Sequence, residues 1–273
     1  MIRHFDAGRH IRLYSLQLKT NAYHSAMASP VTLSAQHLTR YHGSRCAVND
    51  VSFTLRRGEV LGLLGHNGAG KSTTLQMLAG ALSPSDGAIE ICDINLAQRP
   101  DLAKSCLGYL PEQPPLYRDM RVDDYLYFAA RLHRVAPASL ADQLQRVKQR
   151  CGLLDHGRQL IGTLSKGYQQ RVGIAQAIIH QPPVVILDEP TVGLDPAQLR
   201  EIRDLIRALG NDGSVILSTH LLHEVEQVCD RAVILRDGKL IFDGSIDDLR
   251  QHRDIESGFL QLTTERGQEA VPQ

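Results

Sequence analysis

The run Gly65-His66-Asn67-Gly68-Ala69-Gly70-Lys71-Ser72 satisfies the spacing G-x-x-x-x-G-K-[ST] and lies between an apolar strand pattern and a helical one. Glycines at these positions let backbone N–H groups turn inward around phosphate oxygens, and a helix opening near Lys71 aims its positive end at the same charge. Lys71 then reaches the outer phosphates and Ser72 offers its hydroxyl to Mg²⁺, the chemistry of a P-loop. Such a loop needs a second carboxylate for the metal and a base for water. The run V-V-I-L-Asp188-Glu189-Pro190 offers both: Asp188 for the Mg²⁺ shell, Glu189 to polarise an attacking water. Asp at the end of an apolar strand is common by itself; here Glu189 follows at once and Pro190 stops the strand.

The elements that must position these groups read as α/β from Val31 onward, short apolar runs alternating with helical ones. Val51, Phe53 and Leu55 alternate, and after Arg56-Arg57-Gly58 comes V-L-G-L-L at 60–64, giving strand, turn, strand. Leu107–Pro111 is another short strand. From about 112 to 163 the pattern is helical: Tyr125 to Leu132 is one stretch, and Leu140, Leu144, Val147 and Cys151 recur at helical spacing. This predicts a helical subdomain inserted into the α/β core. The core resumes with a strand at 184–187, a helix marked by Leu199, Ile202, Ile206 and Leu209, and a strand at 214–217. Runs 232–235 and 240–243 flank an Asp-Gly turn and predict a hairpin. Residues 1–29 are basic and aperiodic, expected as a disordered tail or as sequence upstream of a true start at Met27, with contact to acidic lipid as the other reading. Residues 251–273 are expected as a polar tail, leaving 31–250 as the domain that carries these motifs.

Five motifs, the P-loop, L-S-K-G-Y-Q-Q-R at 164–171, I-L-D-E-P at 186–190, G-L-D-P at 193–196 and S-T-H at 218–220, stand in the order of an ATP-binding-cassette (ABC) ATPase. The chain resembles that family from about Val31 to Leu249. The resemblance implies a P-loop NTPase (RecA-like) core with an N-terminal antiparallel β subdomain and the inserted helical subdomain. It implies ATP and Mg²⁺ as cofactors, with nucleotide contacts from Tyr41, stacked on adenine, and from Gly65, His66, Asn67, Gly68, Ala69, Gly70, Lys71, Ser72 and Thr73. It also implies a signature, Leu164, Ser165, Lys166, Gly167 and Tyr168, that closes over ATP held by a second subunit, so that each site is shared. Two signature positions depart from the family: Lys166 stands for a Gly and adds positive charge near the triphosphate, and Tyr168 stands for a Gln and is expected at the dimer seam. His220 matches the switch histidine that contacts the γ-phosphate, and Asp195 the loop linking the two sites. The metal-sensing position, usually Gln, falls on Glu112 with Gln113 next; Glu112 is expected to take the role. Taken alone, Ser165 also reads as a helix N-cap, Tyr41 as a strand-end residue and His220 as an ordinary histidine.

Lys plus Arg number 30 and so do Asp plus Glu, an exact balance that argues against an extended nucleic-acid footprint. No apolar run approaches the ~18 residues that cross a bilayer, so the reading is of a cytoplasmic chain held at the inner face of the cell membrane through a separate permease. The five cysteines stand singly, without zinc spacing, and read as reduced thiols. Beside the transport ATPase, two further functions come into question. A soluble ABC ATPase acting on ribosomes or DNA usually has two cassettes or a long coiled coil, and the 93 residues between Lys71 and Ser165 leave no room for one. A module that binds nucleotide without hydrolysis would not keep Lys71, Asp188, Glu189 and His220 together. The combination G-Y-L-P-E with L-S-K-G-Y resembles the ATPases of ABC-2-type exporters, including those linked to gliding motility and nitrous-oxide-reductase maturation. Partners expected are the permease, docking around Leu116–Leu132 with Tyr117, Tyr125 and Tyr127 as either docking or core rings, and a second cassette, taken as an identical chain.

Overall fold

In the computed structural model, which describes residues 29–251, two sheets share the chain. Strands β1 (Val31–His42), β2 (Arg45–Arg56), β4 (Asp86–Ile91) and β5 (Ile94–Asn95) form an antiparallel sheet in the order β2-β1-β4-β5. The second sheet has the order β10-β9-β3-β8-β7-β6, with β3 (Val60–Leu64), β6 (Leu107–Leu110), β7 (Val184–Asp188), β8 (Ser214–Thr219), β9 (Arg231–Arg236) and β10 (Lys239–Ser245). Its strands pair in parallel except β10, which turns back on β9. The expected hairpin is this one, and its Asp237-Gly238 turn takes positive φ at both residues, the backbone that a tight two-residue reversal needs. The expected strand–turn–strand at 51–64 is present as β2 and β3, yet the two strands belong to different sheets.

Runs such as V-L-G-L-L and V-V-I-L are apolar at every position because the parallel sheet is covered on both faces. Alternate side chains go to different cores. Leu61, Leu63, Val184, Ile186, Ile216, Val233 and Leu235 face the antiparallel sheet, packing with Leu33, Phe53, Leu75 and Ile91. Val60, Leu64, Val185, Leu187, Val215, Leu217 and Ile234 face the opposite way, toward helices. Burying each such side chain contributes roughly 1.5–3 kcal/mol, so a one-residue slip in register would be penalised on both faces at once.

Helix α1 (Lys71–Leu78) follows β3, and α2 (Pro100–Ser105) precedes β6. Between β6 and β7 come α3 (Val122–Leu132), α4 (Leu140–Arg150) and α5 (Lys166–Ile178). Then come α6 (Pro196–Asp212), α7 (Leu222–Val228) and α8 (Ile246–Gln251), the last helix among the described residues. On and just before α3 the sequence left the rings open between docking and core: Tyr125 is buried and donates its hydroxyl to the Pro115 carbonyl at 3.1 Å, whereas Tyr117 and Tyr127 are exposed. Among the described residues no helix is long and apolar enough to cross a membrane. The expectations for residues 1–28 and 252–273 lie outside the described residues.

Candidate functional site

The parallel sheet delivers the site residues to one edge. Strands β3, β7 and β8 are neighbours in the order β3-β8-β7, and each ends at a loop that carries chemistry. Gly65–Gly70 follows β3, Glu189 follows β7 and His220 follows β8. Open α/β sheets place their ligand sites at these carboxyl ends.

The loop after β3 is bent so tightly that glycine is required. At Gly70, with φ +103°, a Cβ would come within 2.7 Å of the Ala47 carbonyl oxygen, and at Gly65 one would come within 2.5 Å of the Leu235 oxygen. Gly70 is the N-cap of α1, and neither a capping side chain nor an acidic residue occupies the first turn. The first-turn N–H groups are thus left for an external anion. Lys71 is only 6% exposed; its Nζ donates to the carbonyls of Gly65 at 2.8 Å and His66 at 3.3 Å and stands 3.7 Å from Glu189 Oε1.

Glu189 has a φ of +47°, a left-handed backbone rarely adopted by a side chain of this size. Its N–H is held by Ser218, at 2.9 Å from Oγ and 3.2 Å from the carbonyl. The turn points the carboxylate between two partners, Lys71 on one side and His220 Nδ1, at 3.0 Å from Oε2, on the other. Ser218 also donates its hydroxyl to Asp188 Oδ1, so one serine organises both acidic residues. Asp188 is buried, and its charge, after burial itself, pushes the Tyr109 hydroxyl up to about 12.

A cleft of about 580 Å³ opens over these groups. Of the expected site residues it is lined by His66, Asn67, Gly68, Gly70, Lys71, Ser72, Thr73, Glu112, Glu189 and His220. Asp188, Gly65 and Ala69 are buried and do not line it. Tyr41 is half exposed and does not line the wall; its hairpin neighbours His42 and Arg45 do. The sequence reading missed both. An Arg45 nitrogen lies 3.8 Å from where a Gly68 Cβ would stand, bringing a cation beside the loop. The signal available was position: both flank the turn that follows Tyr41.

A second groove of about 410 Å³ adjoins the cleft across Glu112, Glu189 and Val192, and carries Lys166, Gln169 and Gln170 on its far wall. Glu112 borders both spaces, while Gln113 borders only the groove. Of the signature, Ser165, Gly167 and Tyr168 do not line the cleft, and Lys166 lines only the adjoining groove. Ser165 is the N-cap of α5 and accepts from the Tyr168 N–H at 3.4 Å. Gly167 has the Gln198 side chain against it, and the Lys166 ammonium lies beside Gly193. Tyr168, expected at a dimer seam, is half-buried, with its ring 4.0 Å from the His156 ring and the Arg171 guanidinium over it. Asp195 caps α6, accepting from the N–H groups of Ala197 and Gln198 at 3.0 Å each.

Residues 48–192 match the family described as ABC transporter. The chain is 39% identical over 221 residues to the uncharacterized ABC transporter ATP-binding protein YxlF of Bacillus subtilis, covering 81% of this chain and 73% of that protein. Among solved structures it is similar to one described as the ATP binding subunit of an ABC transporter, with a TM-score of 0.77, 31% identity, and coverage of 85% of this chain and 99% of that one. It is also similar to cbiO1 from Clostridium perfringens, described as part of the ABC transporter complex cbiONQ, with a TM-score of 0.73, 26% identity, and coverage of 85% and 98%.

Proposed function

We propose, from the premise that this chain belongs to the ABC transporter ATP-binding family, a division of labour among its residues. The chain is the ATP-binding, ATP-hydrolysing subunit of an ABC transporter and works with a separate membrane permease. On the reading advanced here, amides of residues 65–73 and Lys71 hold the phosphates of ATP, and Tyr41 reaches the adenine from the hairpin above. Glu189 takes the proton of the attacking water, and His220, hydrogen-bonded to that carboxylate, orients it and contacts the γ-phosphate.

The oxygen donors fit Mg²⁺. Ser72 and Glu112 border the cleft, and Asp188 is buried, with Ser218 engaging only Oδ1. A hydroxyl and carboxylates are the hard ligands this ion prefers. When bound, Mg²⁺ would neutralise charge on the phosphates. That Glu112 borders the cleft while Gln113 does not supports Glu112 as the metal-side residue.

The second half of each site comes from a second copy of this chain, whose Leu164–Tyr168 segment closes over the nucleotide while Asp195 links the two centres. That Ser165 and Gly167 do not line the cleft of their own chain supports this arrangement. The permease meets α3 through its exposed Tyr127, Phe128 and Leu132, with the exposed Tyr117 ring 5.8 Å from Phe128. Through it the ATPase lies at the cytoplasmic face of the membrane and powers export, the direction implied by the resemblance to ABC-2-type exporter ATPases.

The observation that carries the assignment is the Glu189 carboxylate held between Lys71 and His220. Its test is Glu189→Gln in the full chain: phosphate release should fall by about 100-fold or more, with ATP affinity retained. Wild-type turnover in that variant would refute the assignment.

A further inference from the structure

Glu224 is wholly buried, four residues beyond His220 on α7. A buried carboxylate is costly to keep unless its hydrogen bonds are made. Glu224 makes two, both through Oε2: the Thr191 hydroxyl donates at 2.7 Å and the Thr219 hydroxyl at 2.9 Å. Oε1 has no hydrogen-bond partner; the Arg203 guanidinium on α6 is 4.0 Å away, and it donates to Gln227.

The two threonines belong to different loops. Thr191 lies two residues beyond Glu189, in the loop that leads to Asp195, and Thr219 ends β8 immediately before His220. Thr219 also accepts from the Leu221 N–H at 3.1 Å, so its hydroxyl is engaged as donor and acceptor. One carboxylate oxygen thus joins the loops whose tips carry the Glu189 carboxylate and the His220 imidazole, themselves 3.0 Å apart. Neither motif reading nor proximity to the cleft points to Glu224, because it lines no part of the cleft wall.

We propose that Glu224 is a positioning residue: by holding Thr191 and Thr219 on one oxygen it fixes the spacing of Glu189 and His220, and it ties the loop leading to Asp195 to the histidine loop. This rests on the roles proposed for Glu189 and His220. Misplacing a reacting group by about 1 Å costs up to about 100-fold in rate, so a loosened clamp is visible in turnover without loss of nucleotide.

The test uses the full chain and four variants. Glu224→Gln keeps an oxygen for both hydroxyls, Glu224→Leu keeps bulk and removes the acceptor, Thr191→Val removes one donor, and the fourth combines Thr191→Val with Glu224→Leu. Glu224→Leu should lower kcat about tenfold, equivalent to roughly 1.4 kcal/mol of barrier, with KM for ATP changed less than about twofold. Glu224→Gln should restore kcat to within about threefold of wild type. An independent readout needs no turnover: the His220 imidazole resonances in ¹⁵N–¹H spectra should move on Thr191→Val, and that movement should vanish in the Glu224→Leu background. Wild-type kcat in Glu224→Leu, equal losses in the Leu and Gln variants, or a Thr191→Val effect undiminished without Glu224 would each overturn the proposal. Should Glu224→Leu fail to fold, Thr191→Val decides: a lowered kcat with a moved His220 signal supports the clamp, and an unmoved signal overturns it. Failure of the underlying reading shows separately, as an active Glu189→Gln.

Discussion

Glu189 shows how backbone and side chain cooperate at a single position. Its left-handed φ costs of order 1–3 kcal/mol, and the turn it permits carries the carboxylate off the strand end to meet Lys71 and His220. The residue types and spacings of the P-loop, of Asp188-Glu189 and of His220 were legible in the sequence because each is a local pattern beside a strand. Arg45, His42 and Glu224 were not, since what qualifies them is who stands opposite in the fold: Gly68 for Arg45, and Thr191 with Thr219 for Glu224. Tyr168 was placed at a seam on family pattern alone, and its contacts with His156 and Arg171 depend on how α5 meets the neighbouring segments. The Glu112 assignment yields a prediction at this scale. Glu112→Ala should raise the Mg²⁺ concentration needed for half-maximal turnover by about tenfold or more, the loss in metal affinity that removing a group supporting a metal site typically brings, while Gln113→Ala should leave it unchanged. A titration of turnover against Mg²⁺ separates them, and the reverse pattern would move the role to Gln113.

Whole strands were legible where both faces are buried, as at 60–64, 184–188 and 214–219, because an unbroken apolar run has no other comfortable place. β1 and β4 were harder. Register shifts along β1, between Ala35 and Leu38 among others, break its period of two, and β4 offers only a few apolar residues. On α3 the helical period was clear, yet which ring faced inward was open until the neighbours were placed. Tyr125 packs edge-on to Tyr117 at 6.0 Å and burial pushes its hydroxyl up to about 12. Tyr125→Ala should therefore cost about 3 kcal/mol of stability in urea unfolding. Tyr127→Ala should cost under about 0.5 kcal/mol and instead weaken permease-stimulated turnover. A second element-scale prediction concerns the stacked pair at the end of α3, His133 and His180, whose rings lie 3.8 Å apart. Burial, then the neighbouring His133, pushes His180 down to about 4, against the pull of its hydrogen bond to the Leu107 carbonyl. A folded pKa below the unfolded value of about 6.5 means that the unfolded chain takes the proton first. Stability is therefore intact above about pH 6.5 and declines as pH falls toward 4. His180→Phe should lower the neutral-pH plateau by removing the Leu107 bond, yet flatten this acid limb in unfolding midpoints measured across the window.

At the scale of the whole molecule, the parallel strands of one sheet present the loop at 65–70, Glu189 and His220 at their carboxyl ends, and a second sheet and a helical layer cover its faces. The α/β class and the helical portion were readable from pattern, and the antiparallel portion followed only from the family resemblance; the meeting of the layers was not readable, because it is set by contacts distant in sequence. The central claim is that a single chain holds half of each of two sites, with Ser165 and Gly167 serving the nucleotide of a second copy. Its most direct test is the mass in solution of the Glu189→Gln chain, measured by light scattering with saturating ATP and Mg²⁺ and again with ADP. The proposed arrangement predicts twice the single-chain mass with ATP, reversal to the single-chain mass with ADP, and loss of the ATP-bound dimer on adding Ser165→Arg. A single-chain mass at saturating ATP would contradict it.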